Sequence, residues 1–306
     1  MPCLPACLPA CLLRRVDGDV PAKAVKNLKP TLVERDLFLA CQCQPSGPIS
    51  VAPAEDAAVF GRVLVADKEL LPPTVCRLRL HSATALYSRA GQFINIRRAD
   101  GLVRSYSLAS VPYLDGNLEL PVKRMARGDM SNWVFDGLQV GEALDLQGPN
   151  GECFYTPERK NQDILMIGTG TGLAPLVGIL RDLLESGHQR RAVLYHGSRT
   201  VDGLYLSDEM REEAARHDNF DYIPCVPGED VGVGFRAGRA AAAALDDLPD
   251  LSGWRVFLCG HPGMVNATKK TTYLASAALS DILSDPFDFQ ELRTTPRIGP
   301  EPLDVW

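Results

Sequence analysis

The feature that most constrains this chain is a change of hydrophobic rhythm near Asn161. Before it, short runs alternate apolar and polar residues at roughly ten-residue spacing: Gly61–Ala66, Cys76–His81, Gln92–Ile96, Leu118–Lys123 and Ala143–Leu146. Strands of that kind, punctuated by Gly and Pro, build an antiparallel barrel or sandwich. After it, buried-strand runs at Ile164–Ile167, Ala192–Tyr195, Tyr222–Val226 and Val256–Cys259 alternate with helical stretches at Leu173–Leu184 and Leu206–Ala215. That order gives a parallel, doubly wound sheet with helices on both faces. The chain has 306 residues, room for about two domains at roughly 100–200 residues each. The expected architecture is an antiparallel β-barrel domain at 53–157 and an α/β doubly wound domain at 158–290. A short segment, 1–52, precedes them and a tail, 291–306, follows.

Composition is that of a globular protein, with 45% hydrophobic and 23% charged residues, which excludes disorder and fibre classes. The net charge of −6 supplies no overall attraction to nucleic acid or anionic lipid. No apolar run reaches the ~18 residues of a membrane span. Met1–Leu13 is uncharged and apolar, yet it lacks a basic start and is broken by Pro2, Pro5 and Pro9, unlike a secretory leader. The expectation is a soluble, cytoplasmic monomer with no nucleic-acid partner. Of nine cysteines, Cys3, Cys7, Cys11, Cys41 and Cys43 fall in the first 43 residues. An odd total without an export signal argues against a disulfide framework and points to metal or iron–sulfur ligation. Buried structural thiols are the alternative.

Three motifs carry chemistry. Gly168-Thr169-Gly170-Thr171-Gly172-Leu173-Ala174-Pro175 follows a strand and opens a helix. Small residues there let the backbone approach a pyrophosphate, and the helix start offers unpaired N–H groups. It is neither the Rossmann fingerprint, since Leu173 stands at the last glycine, nor a Walker loop; a turn kept tight purely for packing is the alternative. Arg104-Ser105-Tyr106-Ser107 places a cation, a ring and hydroxyls on one barrel strand, suited to a flavin and its phosphates, or simply an ordinary strand with a surface Arg. Cys259-Gly260-His261-Pro262-Gly263-Met264 lies at the C-terminal edge of a parallel strand, where doubly wound sheets bind ligands.

In this order the three motifs resemble the ferredoxin–NADP reductase superfamily, and Gly128-Asp129-Met130-Ser131 is similar to its pyrophosphate turn at a helix start. The resemblance spans about Ala54–Gln290. It is nearest to reductase components of multicomponent oxygenases, including those of soluble methane and phenol monooxygenases and of Rieske dioxygenases. The front resembles the second half of a plant-type 2Fe–2S ferredoxin, with Cys3, Cys7, Cys11 and Cys41 as implied cluster ligands. It departs from that pattern: the plant-type spacing puts the second ligand at Leu8, and Cys7 comes one residue early. Only Met1 and Pro2 precede Cys3, so 1–52 is expected to be a partial β-grasp module, whether because the true start lies upstream, the frame is altered at the 5′ end or the domain is degenerate.

The resemblance implies electron flow from NADH through FAD, and through the cluster if assembled, to an oxygenase component or ferredoxin partner. Arg104 would neutralise flavin phosphate, Tyr106 and Ser107 would hold the isoalloxazine, and Gly128, Met130 and Ser131 would form the pyrophosphate turn. Gly168, Thr169, Gly170, Thr171 and Gly172 would cradle the nicotinamide dinucleotide. Cys259 and Gly260 would line the nicotinamide, and Phe287 would shield the flavin. Arg199 could take a 2′-phosphate, although NADH is the expected donor over NADPH. A cluster-free flavin reductase and, less favoured, a non-catalytic flavin-binding regulatory subunit are the alternative functions.

Overall fold

The computed structural model describes residues 12–287, apart from 27, 29, 54–59, 72–73, 84–85, 87 and 229–230. A small antiparallel sheet comes first: β1 (Leu12–Asp17) lies between β2 (Leu37–Leu39) and β3 (Ser50–Pro53). Leu37, Phe38 and Leu39 are all buried, with Ala24 and Leu28 packed into the same small interior.

The flavin-type domain is a six-stranded antiparallel sheet of β4 (Phe60–Leu71), β5 (Val75–Ser82), β6 (Phe93–Arg97), β7 (Val103–Ser107), β8 (Leu118–Lys123) and β9 (Ala143–Asn150). Their order is β7-β6-β9-β4-β5-β8. Alternation works as the sequence suggests: Val63, Val65, Leu78, Leu80, Ile94, Ile96, Leu120 and Leu144 point into one core. Past the end of β7, the Ala109 N–H donates to the Glu119 carbonyl of β8 at 2.9 Å. That bond draws the two edge strands together and curls the sheet toward the expected barrel. Helix α1 (Asp129–Asp136) follows β8.

The second domain is a six-stranded, all-parallel sheet. Its strands are β10 (Ile164–Thr169), β11 (Ala192–Gly197), β12 (Phe220–Val226), β13 (Arg236–Ala237), β14 (Arg255–Gly260) and β15 (Ile282–Pro286). One face is covered by α2 (Leu173–Glu185) and α3 (Ser207–Arg216), the other by α4 (Ala240–Asp247) and α5 (Pro262–Leu274). Burial on both faces explains why Ile164–Ile167 and Val256–Cys259 read as unbroken apolar runs. The order β13-β12-β11-β10-β14-β15 reverses between β10 and β14. Ligands bind in such sheets outside the strand ends at that reversal.

The domains meet along α2. Gly178 lets this helix lie against the barrel, since a Cβ there would sit 3.1 Å from the Leu108 carbonyl and 3.2 Å from that of Ala109. Arg181 on the same helix donates twice, at 2.8 Å each, to the carboxylate of Asp115 in the barrel, and Tyr113 donates to Asp182 at 2.8 Å. Arg77, nearly buried on β5, pairs with Glu209 of α3. The small N-terminal sheet is tied to the barrel through Arg35, which donates to the Gly148 carbonyl at 3.2 Å, and through the Glu34–Arg89 pair.

Arg181→Ala leaves the partly buried Asp115 carboxylate without its bidentate partner. Because both side chains keep some solvent contact, the expected loss is roughly 1–2 kcal/mol rather than the full cost of a buried unpaired charge. Urea unfolding checks this, and an unchanged midpoint would remove the pair from the domain junction.

Candidate functional site at the sheet reversal

The glycine turn leaves β10 as a short 3₁₀ turn, Gly170–Gly172, and enters α2 at Leu173. It is pressed against the end of β14: a Cβ on Gly172 would lie 2.2 Å from the Cys259 carbonyl oxygen. From the other side, Gly260 has φ of 123°, and a Cβ there would lie 2.7 Å from Thr169 Oγ1. The His261 N–H reaches Thr169 Oγ1 at 3.4 Å. Gly168 is closed in by Leu176. Gly170, with φ of 54°, faces open space, and the nearest atom to a Cβ there would be Lys123 Nζ at 3.7 Å. So Gly168, Gly172 and Gly260 are glycines for packing, whereas Gly170 leaves room for a ligand.

A cationic edge bounds that room. Lys123 comes from the barrel strand β8 and keeps solvent contact. Partial desolvation, and then the charge of Arg199 beyond β11, hold its pKa below the ordinary lysine value. Cations beside a glycine turn are suited to an anion. Behind the turn, His196 is fully buried at the end of β11. Its Nδ1 lies 3.0 Å from the Tyr222 hydroxyl, and the Gly170 backbone lies against the ring. Burial drives its pKa down to about 3, so it is neutral at every physiological pH.

On the barrel side, Arg104, Tyr106 and Ser107 stand on β7 in a sequence of intermediate to buried positions. Arg104 Nη1 donates to the Val103 carbonyl at 2.7 Å. Tyr106 packs against the barrel core, and burial raises its pKa. The Ser107 hydroxyl, at the buried end of β7, donates to Asp285 of β15 at 2.9 Å. Asp285 is the register partner of Cys259 on β14. One hydrogen bond therefore joins the flavin-type strand to the ligand-binding edge of the parallel sheet. Phe287 follows, its N–H donating to the Gly260 carbonyl at 2.7 Å.

Gly128, Met130 and Ser131 form a tight helix start. A Cβ on Gly128 would meet Ser131 Oγ at 2.4 Å, and Met130 is buried. Ser131 Oγ donates to the Gly128 carbonyl and accepts from the Met125 N–H, both at 3.1 Å. Its hydroxyl is thus engaged within the turn itself. Cys259 is fully buried, its Sγ 3.7 Å from that of Cys153. Cys3, Cys7 and Cys11 lie outside the described residues; Cys41 is exposed in the turn after β2.

The sequence reading missed Asp285, Lys123 and His196. Asp285 lies on a strand that the hydropathy pattern did not single out. Lys123 ends a strand recognised only for its alternation. His196 was visible as a residue of the segment holding Arg199, but nothing local marks it as buried.

Two interlocked domains, one of barrel type and one doubly wound, with facing flavin-type and dinucleotide-type edges, define a flavin–nicotinamide reductase architecture. Comparison with known proteins bears this out. Residues 64–155 match the oxidoreductase FAD-binding domain model and 166–270 the oxidoreductase NAD-binding domain model. The chain is 36% identical over 248 residues to an aromatic O-demethylase reductase subunit from an Amycolatopsis species, covering 76% of this chain and 73% of that one. It is 28% identical over 291 residues to the ferredoxin–NAD(P)+ reductase component of the Pseudomonas putida naphthalene 1,2-dioxygenase system, covering 93% and 88%. The crystal structure of an Amycolatopsis cytochrome P450 reductase superposes with a TM-score of 0.70 at 30% identity, over 91% of this chain and 87% of that one. The chain belongs to the ferredoxin–NADP reductase superfamily. It is an NAD(P)H-dependent oxidoreductase of the oxygenase-reductase type.

The neutral His196 sets a pH dependence of stability. An unfolded chain binds this proton below about pH 6.5, whereas the native state refuses it down to about 3. The contribution is full above the unfolded value and is lost as pH falls, by about 2 kcal/mol at pH 5. His196→Phe keeps the ring and removes the titration, so its unfolding free energy should fall less steeply from neutral pH to pH 5. Parallel curves for the two proteins would exclude this account of His196.

Proposed function

We propose that this protein passes electrons from NADH, through FAD held on the barrel, to an oxygenase component or a ferredoxin. The observation that carries the reading is the Ser107–Asp285 hydrogen bond, which brings the flavin-type strand to the Cys259–Gly260 edge of the parallel sheet. The named activities of the Amycolatopsis and Pseudomonas relatives support an oxygenase system as the acceptor.

The residues present fit both cofactors. Arg104 on β7 and the helix start at Asp129–Ser131 would supply a cation and backbone donors for flavin phosphates. Tyr106 and Ser107 supply a ring and a hydroxyl for the isoalloxazine. The open side of Gly170, beside Lys123, suits the dinucleotide phosphates. FAD, when bound, accepts a hydride from the nicotinamide and gives up electrons one at a time. The chain's own part is positional: Gly172 and Gly260 hold the two strand ends together, Cys259 and Gly260 line the nicotinamide side, and Phe287 covers the flavin side. Lys123 and Arg199 neutralise phosphate, and Arg199 is the residue placed to favour a 2′-phosphate if one is present.

We assign residues 1–52 to a 2Fe–2S ferredoxin-like module with Cys3, Cys7, Cys11 and Cys41 as ligands, 53–157 to the FAD domain and 158–290 to the nicotinamide domain. Support for the first assignment comes from the register Leu12↔Leu39 between β1 and β2. It sets the residue after Cys11 opposite the one two places before Cys41. Cys41 itself sits in an exposed turn.

The purified protein should show bound-flavin absorbance, bleach with NADH under anaerobic conditions, and contain ~2 iron per chain in assay. Flavin without iron would overturn the cluster assignment, and absence of both flavin and NADH oxidation would overturn the reductase reading. Lys123→Ala should raise the Michaelis constants of NADH and NADPH together, by roughly tenfold for one charged phosphate contact. Arg199→Ala should raise that of NADPH selectively; an unchanged NADPH/NADH ratio would remove Arg199 from donor choice.

A further inference from the structure

The buried thiols of Cys153 and Cys259 form a contact that electron transfer does not require. Cys153 lies just beyond β9, on the segment leaving the barrel, and Cys259 is next to last on β14 in the other domain. Both are buried, and their sulfurs are 3.7 Å apart. Their backbones are clamped: a Cβ on Gly91 would lie 2.5 Å from the Cys153 carbonyl oxygen, and one on Gly172 would lie 2.2 Å from that of Cys259. The sulfurs therefore face each other from two fixed positions. Closing the gap to the ~2.05 Å of a disulfide falls to side-chain rotation. Cys76 and Cys225 are equally buried, but among the described residues neither has another sulfur in hydrogen-bonding contact.

We propose that Cys153 and Cys259 are a reversible oxidative modification site, closing to a disulfide with hydrogen peroxide as the oxidant. The Cys153 sulfur attacks peroxide, giving a sulfenic acid and one water. The Cys259 sulfur then displaces the sulfenic oxygen, and the Cys259 proton leaves with it as a second water. Two thiols lose two hydrogens and two electrons, and the peroxide O–O bond is broken and reduced. Cys259 is fully enclosed whereas Cys153 keeps a trace of solvent exposure, so the first step is assigned to Cys153. Contact between the sulfurs makes the second step intramolecular and favours it over further oxidation to sulfinic acid. The product would staple the barrel's exit to the sheet edge and turn the Cys259 sulfur into a bond facing Cys153. Its effect on turnover rests on the proposed place of Cys259 beside the nicotinamide; the bond itself does not.

The test treats the reduced full-length protein with hydrogen peroxide, alkylates it under denaturing conditions and maps the peptides by mass. The expected product is a Cys153–Cys259 cross-linked peptide lighter by two hydrogens, released by dithiothreitol, with Cys76 and Cys225 still alkylated. Both cysteines alkylated after treatment, or Cys259 recovered only as sulfinic or sulfonic acid, overturns the proposal without any need for a variant. Cys153→Ser should abolish the cross-link. NADH-driven ferricyanide reduction should fall by roughly tenfold or more on cross-linking and return with dithiothreitol. A cross-link that leaves turnover unchanged supports the modification site and overturns the placement of Cys259 on the hydride path.

Discussion

The approach of two strand ends at the sheet reversal governs this molecule. Gly172 lies so close to the Cys259 carbonyl, and Gly260 so close to Thr169, that neither position admits a Cβ. Side chains there would wedge β10 from β14 and break the parallel pairing that carries the α/β core. With that contact made, Gly170 is left as the open member of the turn. Tight packing and ligand access are thus divided among neighbouring glycines of one motif.

A second constraint joins the domains. The helix that starts at the glycine turn is the same helix that packs on the barrel through Gly178 and Arg181. One helix thus holds the glycine turn and the barrel in a fixed relation. The Ser107–Asp285 bond and Lys123 complete the arrangement from the barrel side. No single domain contains the site: its cations come from β8 and from the loop after β11, and its edges from β7, β14 and β15.

Much of this was legible along the chain. Alternation gave the barrel strands and unbroken apolar runs gave the parallel strands, because each pattern follows directly from burial on one face or two. The glycine turn and the Cys259–Gly260 edge were recognisable because close backbone approach leaves a residue-level trace. Asp285 left none: a carboxylate on a short edge strand looks like any surface acid until β15 pairs with β14. His196 reads as an ordinary polar residue beside a glycine, and only its enclosure by Tyr205 and Tyr222 makes it a neutral, pH-dependent group. Ser131 shows the reverse, since its motif was plain but its hydroxyl proved to serve the turn itself.

The sequence by itself determined the two-domain order, the strand types and the chemistry of each motif, since these depend on local periodicity and on residue types within a few positions. Only the tertiary structure decided which motif residues meet. Ser107 and Asp285 are 178 positions apart and Cys153 and Cys259 are 106 apart. Such pairings arise from sheet order and domain docking, in which the energy of packing α2 on the barrel selects one arrangement, and no local pattern encodes that choice.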